Sequence, residues 1–260
     1  MADRNLISQL RDMSGASLEA MLLRPYRNLF GEEVHERFAI VGNARTGSNY
    51  LLDGLKSSKS VKMYHEIFAD HNREIGKDFD RVLSTLFQRE SRGTRLVGFK
   101  LFYNHLTDDE WDRFLAHREF KLIHLTRQNR LRTIVSLEIA FKTGRWTSSR
   151  QPDHNQVQDR TILIEPAKLL ARIEQLRQAE RLARQRFSDR PVIEIVYEEM
   201  VREPLQTFEH VGDYLGIQDI DPTQIRIRRQ NPEPLSQLLL NYAEMRQVLK
   251  DTEYAHYLDE

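Results

Sequence analysis

The sequence predicts an α/β fold: a three-layer, doubly wound sheet, mainly parallel, built as one domain over residues 1–260. Three observations predict it. Four short runs rich in β-branched or aromatic residues, "RFAIVGN" at 37–43, "RLVGFKLF" at 95–102, "FKLIHLT" at 120–126 and "PVIEIVY" at 191–197, are bounded by polar turns. Such near-continuous apolar runs mark strands covered on both faces. Helical patterns separate them, and parallel neighbours need crossovers of that kind, normally right-handed. The chain has 260 residues, 40% hydrophobic against 30% charged, a balance that fills a core and is too apolar for a disordered chain.

In chain order, residues 1–36 are expected as a helical extension ahead of the first strand. A helix over 48–58 follows a glycine-bearing loop, and a shorter strand, "VKMYHEIF", is expected over 61–68 before a helix over 78–90. The helix over 107–118 opens with Thr107 and Glu110, the spacing at which a hydroxyl and a carboxylate cap each other's backbone amides. Helices over 129–142 and 166–187 flank a stretch, 144–165, in which periodicity is lost. A loop of this length inside a compact domain is functional or mobile, so 144–165, with Arg145, Trp146 and His154, is expected as a lid or acceptor wall. After Val201 the chain reads as helices plus a Pro-rich stretch, with no repeat and no low-complexity tract.

Composition narrows the function. Lys plus Arg equals Asp plus Glu at 39 each, so no global field draws nucleic acid or an anionic membrane, and any anion recognition is local. Cysteine is absent, which removes disulfides, thiolate metal sites and cysteine nucleophiles. The opening "MADRNLISQLRDMSG" carries charges where a signal peptide needs its apolar run, and nowhere do ~18 apolar residues follow one another. A soluble, cytoplasmic protein is the expectation. The oligomeric state stays open, a homodimer included.

Ligands of doubly wound sheets bind at the carboxyl ends of the strands, which directs attention to the junctions after Gly42, Tyr64 and Thr126. At the first, "GNARTGSN" spaces Gly42 and Gly47 as in a phosphate-binding loop, where backbone amides and the next helix N-terminus face an anion. Nucleotide triphosphatases need a lysine directly after the second glycine. Here Ser48 and Asn49 follow, and the cation sits inside the loop at Arg45. Alone, the stretch is equally well a tight turn with a solvated arginine.

A loop with an internal cation, then Thr46, Gly47 and Ser48, resembles the 5′-phosphosulfate loop of the sulfotransferases. "ARTGSNYLLDGL" is similar to their bacterial carbohydrate branch, the nodulation-factor and trehalose sulfotransferases. The resemblance implies a P-loop-like sulfotransferase fold and 3′-phosphoadenosine 5′-phosphosulfate (PAPS) as cofactor, with PAP as its product. It also implies transfer to a hydroxyl of a small molecule, sugar-containing acceptors favoured. Arg45, Thr46, Gly47, Ser48 and Asn49 would then hold the 5′ end, with Arg45 acting on the leaving phosphate. In "LIHLTRQNRLRTIVSL" an arginine at a strand end and a serine in the next helix resemble the family's 3′-phosphate clasp, here Arg127 and Ser136, with Arg130 and Arg132 competing for the arginine's place. "IEIVYEEMVREPL" is similar to the family's next strand and turn, which would set Tyr197 near the adenine. Arg228 or Arg229 would approach the 3′-phosphate from "RIRRQNPEPL", although the family's glycine-rich closing loop is absent.

Transfer to a hydroxyl needs a base for its proton. "MYHEIF" offers His65 and Glu66. The bacterial branch carries an acidic residue here, which puts Glu66 first, while the usual imidazole range favours His65 at neutral pH. In a strand only one of two neighbours enters the cleft. His105 is a further candidate, Lys100 lies on a strand leading to the same edge, and His124 reads as a core histidine. No metal is expected: His35-Glu36, His65-Glu66 and His117 near Glu119 lack the i, i+4 spacing of a helical zinc site. Two alternatives share the scaffold, a small kinase, which needs Mg²⁺ and a loop lysine, and a nucleotide-binding module without catalysis.

Overall fold

Strand β1, Glu36–Gly42, lies between β3, Leu96–Phe102, and β4, Phe120–Thr126, in a computed structural model that describes residues 31–34, 36–70, 78–146 and 159–258. Outside β3 pairs β2, Val61–Met63, and outside β4 pairs β5, Val192–Val196. The order is β2-β3-β1-β4-β5, and every pairing is parallel. Successive connections leave β1 in opposite directions along the sheet, so its carboxyl end is a topological switch point, where a crevice opens.

Alternation along β1 splits the core into two layers. Phe38 and Ile40 face α1 (Ser48–Leu55) and α7 (Pro204–Leu215) with Leu51, Leu55 and Phe208. Ala39 and Val41 face α2 (Phe79–Ser84), α3 (Asp108–Ala116) and α5 (Pro166–Arg186) with Phe79, Phe114 and Phe187. A third cluster joins α4 (Arg130–Thr143) to α5, α8 (Leu235–Leu238) and α9 (Tyr242–Leu249) through Leu131, Ile173 and Met245. A short α6, Tyr197–Arg202, follows β5 directly. The predicted three-layer parallel architecture is the one observed.

The α3 cap is as predicted: Thr107 Oγ1 accepts from the Glu110 amide at 3.3 Å, and the Thr107 amide donates to Glu110 Oε2 at 3.0 Å. Helix α4 is capped by Asn129 Oδ1, which accepts from the Arg132 amide at 2.9 Å, and it ends at Gly144 with φ 66°. Two expectations are corrected. Strand β2 stops at Met63 rather than Phe68, because the Tyr64 amide still reaches the Gly98 carbonyl at 2.7 Å but the chain then turns, with the Ile67 amide on the His65 carbonyl at 3.1 Å. The turn buries Phe68 against Phe79 and Phe99, ring centroids 5.4 and 5.7 Å away, so its apolar residues serve packing rather than pleating. The expected extension 1–36 lies mostly outside the described residues, and its described end is extended: Glu32 bridges antiparallel to Glu90. Residues 147–158 of the expected lid, His154 among them, also lie outside.

Candidate active site

The loop after β1 is built from backbone geometry. A Cβ at Gly42 would stand 2.4 Å from the Leu125 carbonyl oxygen, so only glycine lets β1 pass β4 here. Thr46, buried, ties the loop by donating from Oγ1 to the Asn43 carbonyl at 2.8 Å. Gly47, φ 92°, is the N-cap of α1, and no side chain caps that helix. Its first-turn amides therefore present the positive end of the helix dipole to the crevice. A Cβ at Gly47 would lie 2.3 Å from the Tyr197 ring, which packs on the loop. Arg45 itself has φ 67°, uncommon for any residue but glycine.

Arg45 does not point into solvent. Its Nε donates to Ser136 Oγ on α4 at 2.9 Å, its Nη1 to the Trp146 carbonyl at 2.9 Å, and its Nη2 to Gln230 Oε1. Arg127, one residue past β4, is buried; its Nη1 donates to the Arg45 carbonyl at 3.2 Å. Its guanidinium lies over the Tyr197 ring, 4.4 Å from the centroid, and its Nε is 3.8 Å from Glu198 Oε1. That Nε is buried with no hydrogen-bond acceptor. Arg132 is buried too and donates from Nη1 to the carbonyls of Glu233 at 2.8 Å and Asn231 at 3.4 Å.

These cations repel one another. Burial first, and then Arg127, push Arg45 down to about 10. Burial, Arg229 and Arg127 push Arg132 down to about 10, and Arg127 is lowered by burial and by Arg229 despite Tyr197 and Glu198. All stay protonated at neutral pH. The depression measures the cost of gathering them, which a bound polyanion would offset. Arg130 is not in this group: it pairs with Glu180 and donates to Tyr257 Oη at 2.8 Å.

At another wall of the same cavity the charges are paired. Lys100, almost fully buried on β3, donates from Nζ to Glu66 Oε1 and to Asn49 Oδ1, both at 2.7 Å. Burial lowers its pKa and Glu66 partly restores it. Because β2 has ended, the alternation rule does not apply, and both His65 and Glu66 line the cavity. His65 Nε2 is 3.3 Å from Lys56 Nζ. Desolvation, then Lys56 and Lys100, push His65 down to about 4, so the neutral-pH argument for it as base is overturned by its cationic neighbours. Its ring is partly exposed, and solvent screens part of that effect. His105 Nδ1 accepts from the Phe102 amide at 3.2 Å, while His124, fully buried, sits between Tyr103 and Glu194 as a core histidine.

One cavity of about 1790 Å³ holds all of this: Arg45, Gly47, Ser48, Asn49, His65, Glu66, Lys100, Arg127, Ser136, Tyr197, Arg228 and Arg229 line it. The expected separation into two cradles, Arg45 on one and Arg127 with Ser136 on the other, is not what this geometry shows, since Arg45 bonds Ser136 directly. The crevice is common to both. Among the described residues no group of three or more His, Asp or Glu is placed to hold a metal ion, and no helix is long and apolar enough to cross a membrane.

The model of the family described as Stf0 sulphotransferase matches residues 26–236. The chain belongs to the Stf0 sulphotransferase family. The match spans the loop, Glu66, Arg127, Ser136, Tyr197 and Arg229. Solved structures similar to this Stf0-family chain include a sulfotransferase from Alicyclobacillus acidocaldarius, 17% identical, with 86% of this chain and 96% of that chain covered at a TM-score of 0.49. The sulfotransferase domain from the curacin biosynthetic pathway is 14% identical, with 74% and 77% covered, TM-score 0.48. Mouse sulfotransferase SULT7A1, complexed with PAP, is 16% identical, with 78% and 64% covered, TM-score 0.43. No curated protein gives a significant match.

Sequence reasoning missed several partners of this sulfotransferase site. Gln230 and Asn231 reach it where a glycine-rich loop was sought, Asn231 Nδ2 donating to Ser136 Oγ at 3.4 Å. Glu198 stands beside Arg127. The signal for Glu198 was present: β5 pairs with β4 in a register that sets Val196 opposite Thr126, so whatever follows one strand meets whatever follows the other.

Proposed function

We propose that this chain transfers a sulfuryl group from 3′-phosphoadenosine 5′-phosphosulfate to a hydroxyl of a carbohydrate or other small-molecule acceptor. The observation that carries this reading is the buried arginine group, with Arg127 Nε lacking an acceptor, in the same cavity as an uncapped helix N-terminus and an ion-paired carboxylate. A bisphosphorylated nucleotide supplies the anions such a group lacks, and the residues present fit it.

Arg127 and Ser136 would hold the 3′-phosphate, with Arg229 beside them. The amides of Gly47, Ser48 and Asn49 would hold the 5′ end, and Tyr197 would border the adenine. Arg45, which feels Arg127 on one side and Glu66 on the other, would exchange its neutral acceptors for phosphate oxygens. When bound, the cofactor supplies a sulfuryl group already activated by its phosphate leaving group. Glu66 takes the acceptor's proton, held as a carboxylate by Lys100. Fixed cations and amides act on charge that grows on the leaving phosphate, where preorganised donors are worth most. Asp70, Asn104 and Gln175 line the same cavity as the Trp146 ring, a set suited to a polyhydroxyl acceptor.

The test is turnover with sulfur-labelled cofactor over a panel of sugar, lipid and phenol hydroxyls. Labelled product is expected, strongest for a sugar. Tight nucleotide binding with no transfer to any member would leave a binding module, and magnesium-dependent ATP turnover would replace the reading with a kinase.

A further inference from the structure

The geometry points to Glu198 as a positioning residue that aims Arg127 at the 3′-phosphate, an inference that rests on the function proposed above. It follows from the sheet. Strands β4 and β5 run parallel with Thr126 opposite Val196, so the next residues along, Arg127 and Tyr197-Glu198, emerge side by side at the carboxyl edge. Tyr197 covers one face of the guanidinium at 4.4 Å. Glu198 works from the edge of the fork. Its Oε2 accepts from the Gln128 amide at 3.0 Å and its Oε1 from the Asn129 amide at 3.1 Å, while Oε1 also stands 3.8 Å from Arg127 Nε.

One carboxylate therefore ties down the two residues that follow the arginine and sets a charge beside its Nε. Arg127 Nη1 is held by the Arg45 carbonyl. Of the guanidinium's three nitrogens, Nη2 alone has neither a protein acceptor nor an ion partner among the described residues. The fork is fixed on two sides and covered on a third, which leaves one direction for a phosphate. A bidentate arginine gives specificity only when its plane is fixed. Glu198 also keeps a resident anion on the amides that open α4, so a ligand phosphate is directed to Arg127 and Ser136 instead of to that helix end.

Glu198 touches no reacting atom, so its removal should alter recognition of one phosphate and leave the chemical step alone. Calorimetry with adenosine 3′,5′-bisphosphate and with adenosine 5′-monophosphate reads this on the full chain. Glu198→Gln should weaken the bisphosphate by about tenfold, the scale of a lost bond to a charged group, and leave the monophosphate unchanged, so the ratio shrinks. In turnover, KM for the cofactor should rise with kcat retained. In an Arg127→Ala background the same change should have no effect on the bisphosphate. Should Glu198→Gln not fold, Glu198→Asp, which withdraws the charge by one methylene, should shrink the ratio by less. An unchanged ratio, an equal loss for both nucleotides, or effects that add in the double variant would overturn the inference alone. A wild-type chain that binds both nucleotides equally would overturn the proposed function, and this inference with it.

Discussion

Two walls of one cavity handle charge in opposite ways. Around Arg127 the protein gathers buried cations with little to balance them, and the arginines depress one another. Around Glu66 it buries a single ammonium, Lys100, and satisfies it with a carboxylate and an amide at 2.7 Å. The first arrangement is costly until an anion arrives, which is how a binding site for a highly charged ligand looks without that ligand. The second is already neutral, which suits a group that must accept a proton without first being freed from a ligand. The difference separates what binds from what reacts.

The largest effect should come from breaking the paired wall. Glu66→Gln is expected to lower transfer by ~10³-fold, within the range for a lost general base, with bisphosphate affinity held within about twofold. Loss of affinity in step with turnover would erase the distinction between the walls. Next is Arg45→Ala, which bridges them: kcat should fall by ~10²-fold, as for a lost donor to a developing charge, and unchanged turnover would make Arg45 a spectator. Gly47→Ala perturbs the cationic wall without removing a charge. Its φ of 92° and the Tyr197 ring 2.3 Å from the new methyl predict about 1–3 kcal/mol of strain, read as a lower Tm together with weakened nucleotide binding.

The smallest effect is in the pH profile. His65 lies below its ordinary 6.5, at about 4, through desolvation and two lysines. The unfolded chain therefore takes up this proton first as pH falls. The contribution to stability is complete above about 6.5 and is lost progressively down to about 4, a modest loss because the ring is partly exposed. The rate profile should show no inflection near 6.5 from this imidazole, and an NMR titration of His65 should find it neutral through that range. An imidazolium at pH 6 would return it to contention as the base.

Much of this was legible where a local pattern sets the structure. Gly42 and Gly47 announced a loop because backbone approach and positive φ demand glycine, and the Thr107-Glu110 spacing fixed a helix start. What was illegible spans the chain. The Arg45–Ser136 bond joins residues 91 apart, and the Glu198 carboxylate reaches amides 69 and 70 residues away. No periodicity encodes such contacts. The β2 error has a local cause: "YHEIF" alternates well enough to read as a strand, but its apolar members are claimed by the turn that buries Phe68.

The central claim is that the unbalanced arginines await one bisphosphorylated nucleotide. Calorimetry of adenosine 3′,5′-bisphosphate with the wild-type chain and with Arg127→Ala tests it most directly. The account predicts micromolar binding that weakens by about 10- to 100-fold in the variant, with adenosine 5′-monophosphate far weaker on the wild type and indifferent to the substitution. Absence of binding at millimolar bisphosphate, or equal affinity for the two nucleotides, would contradict it.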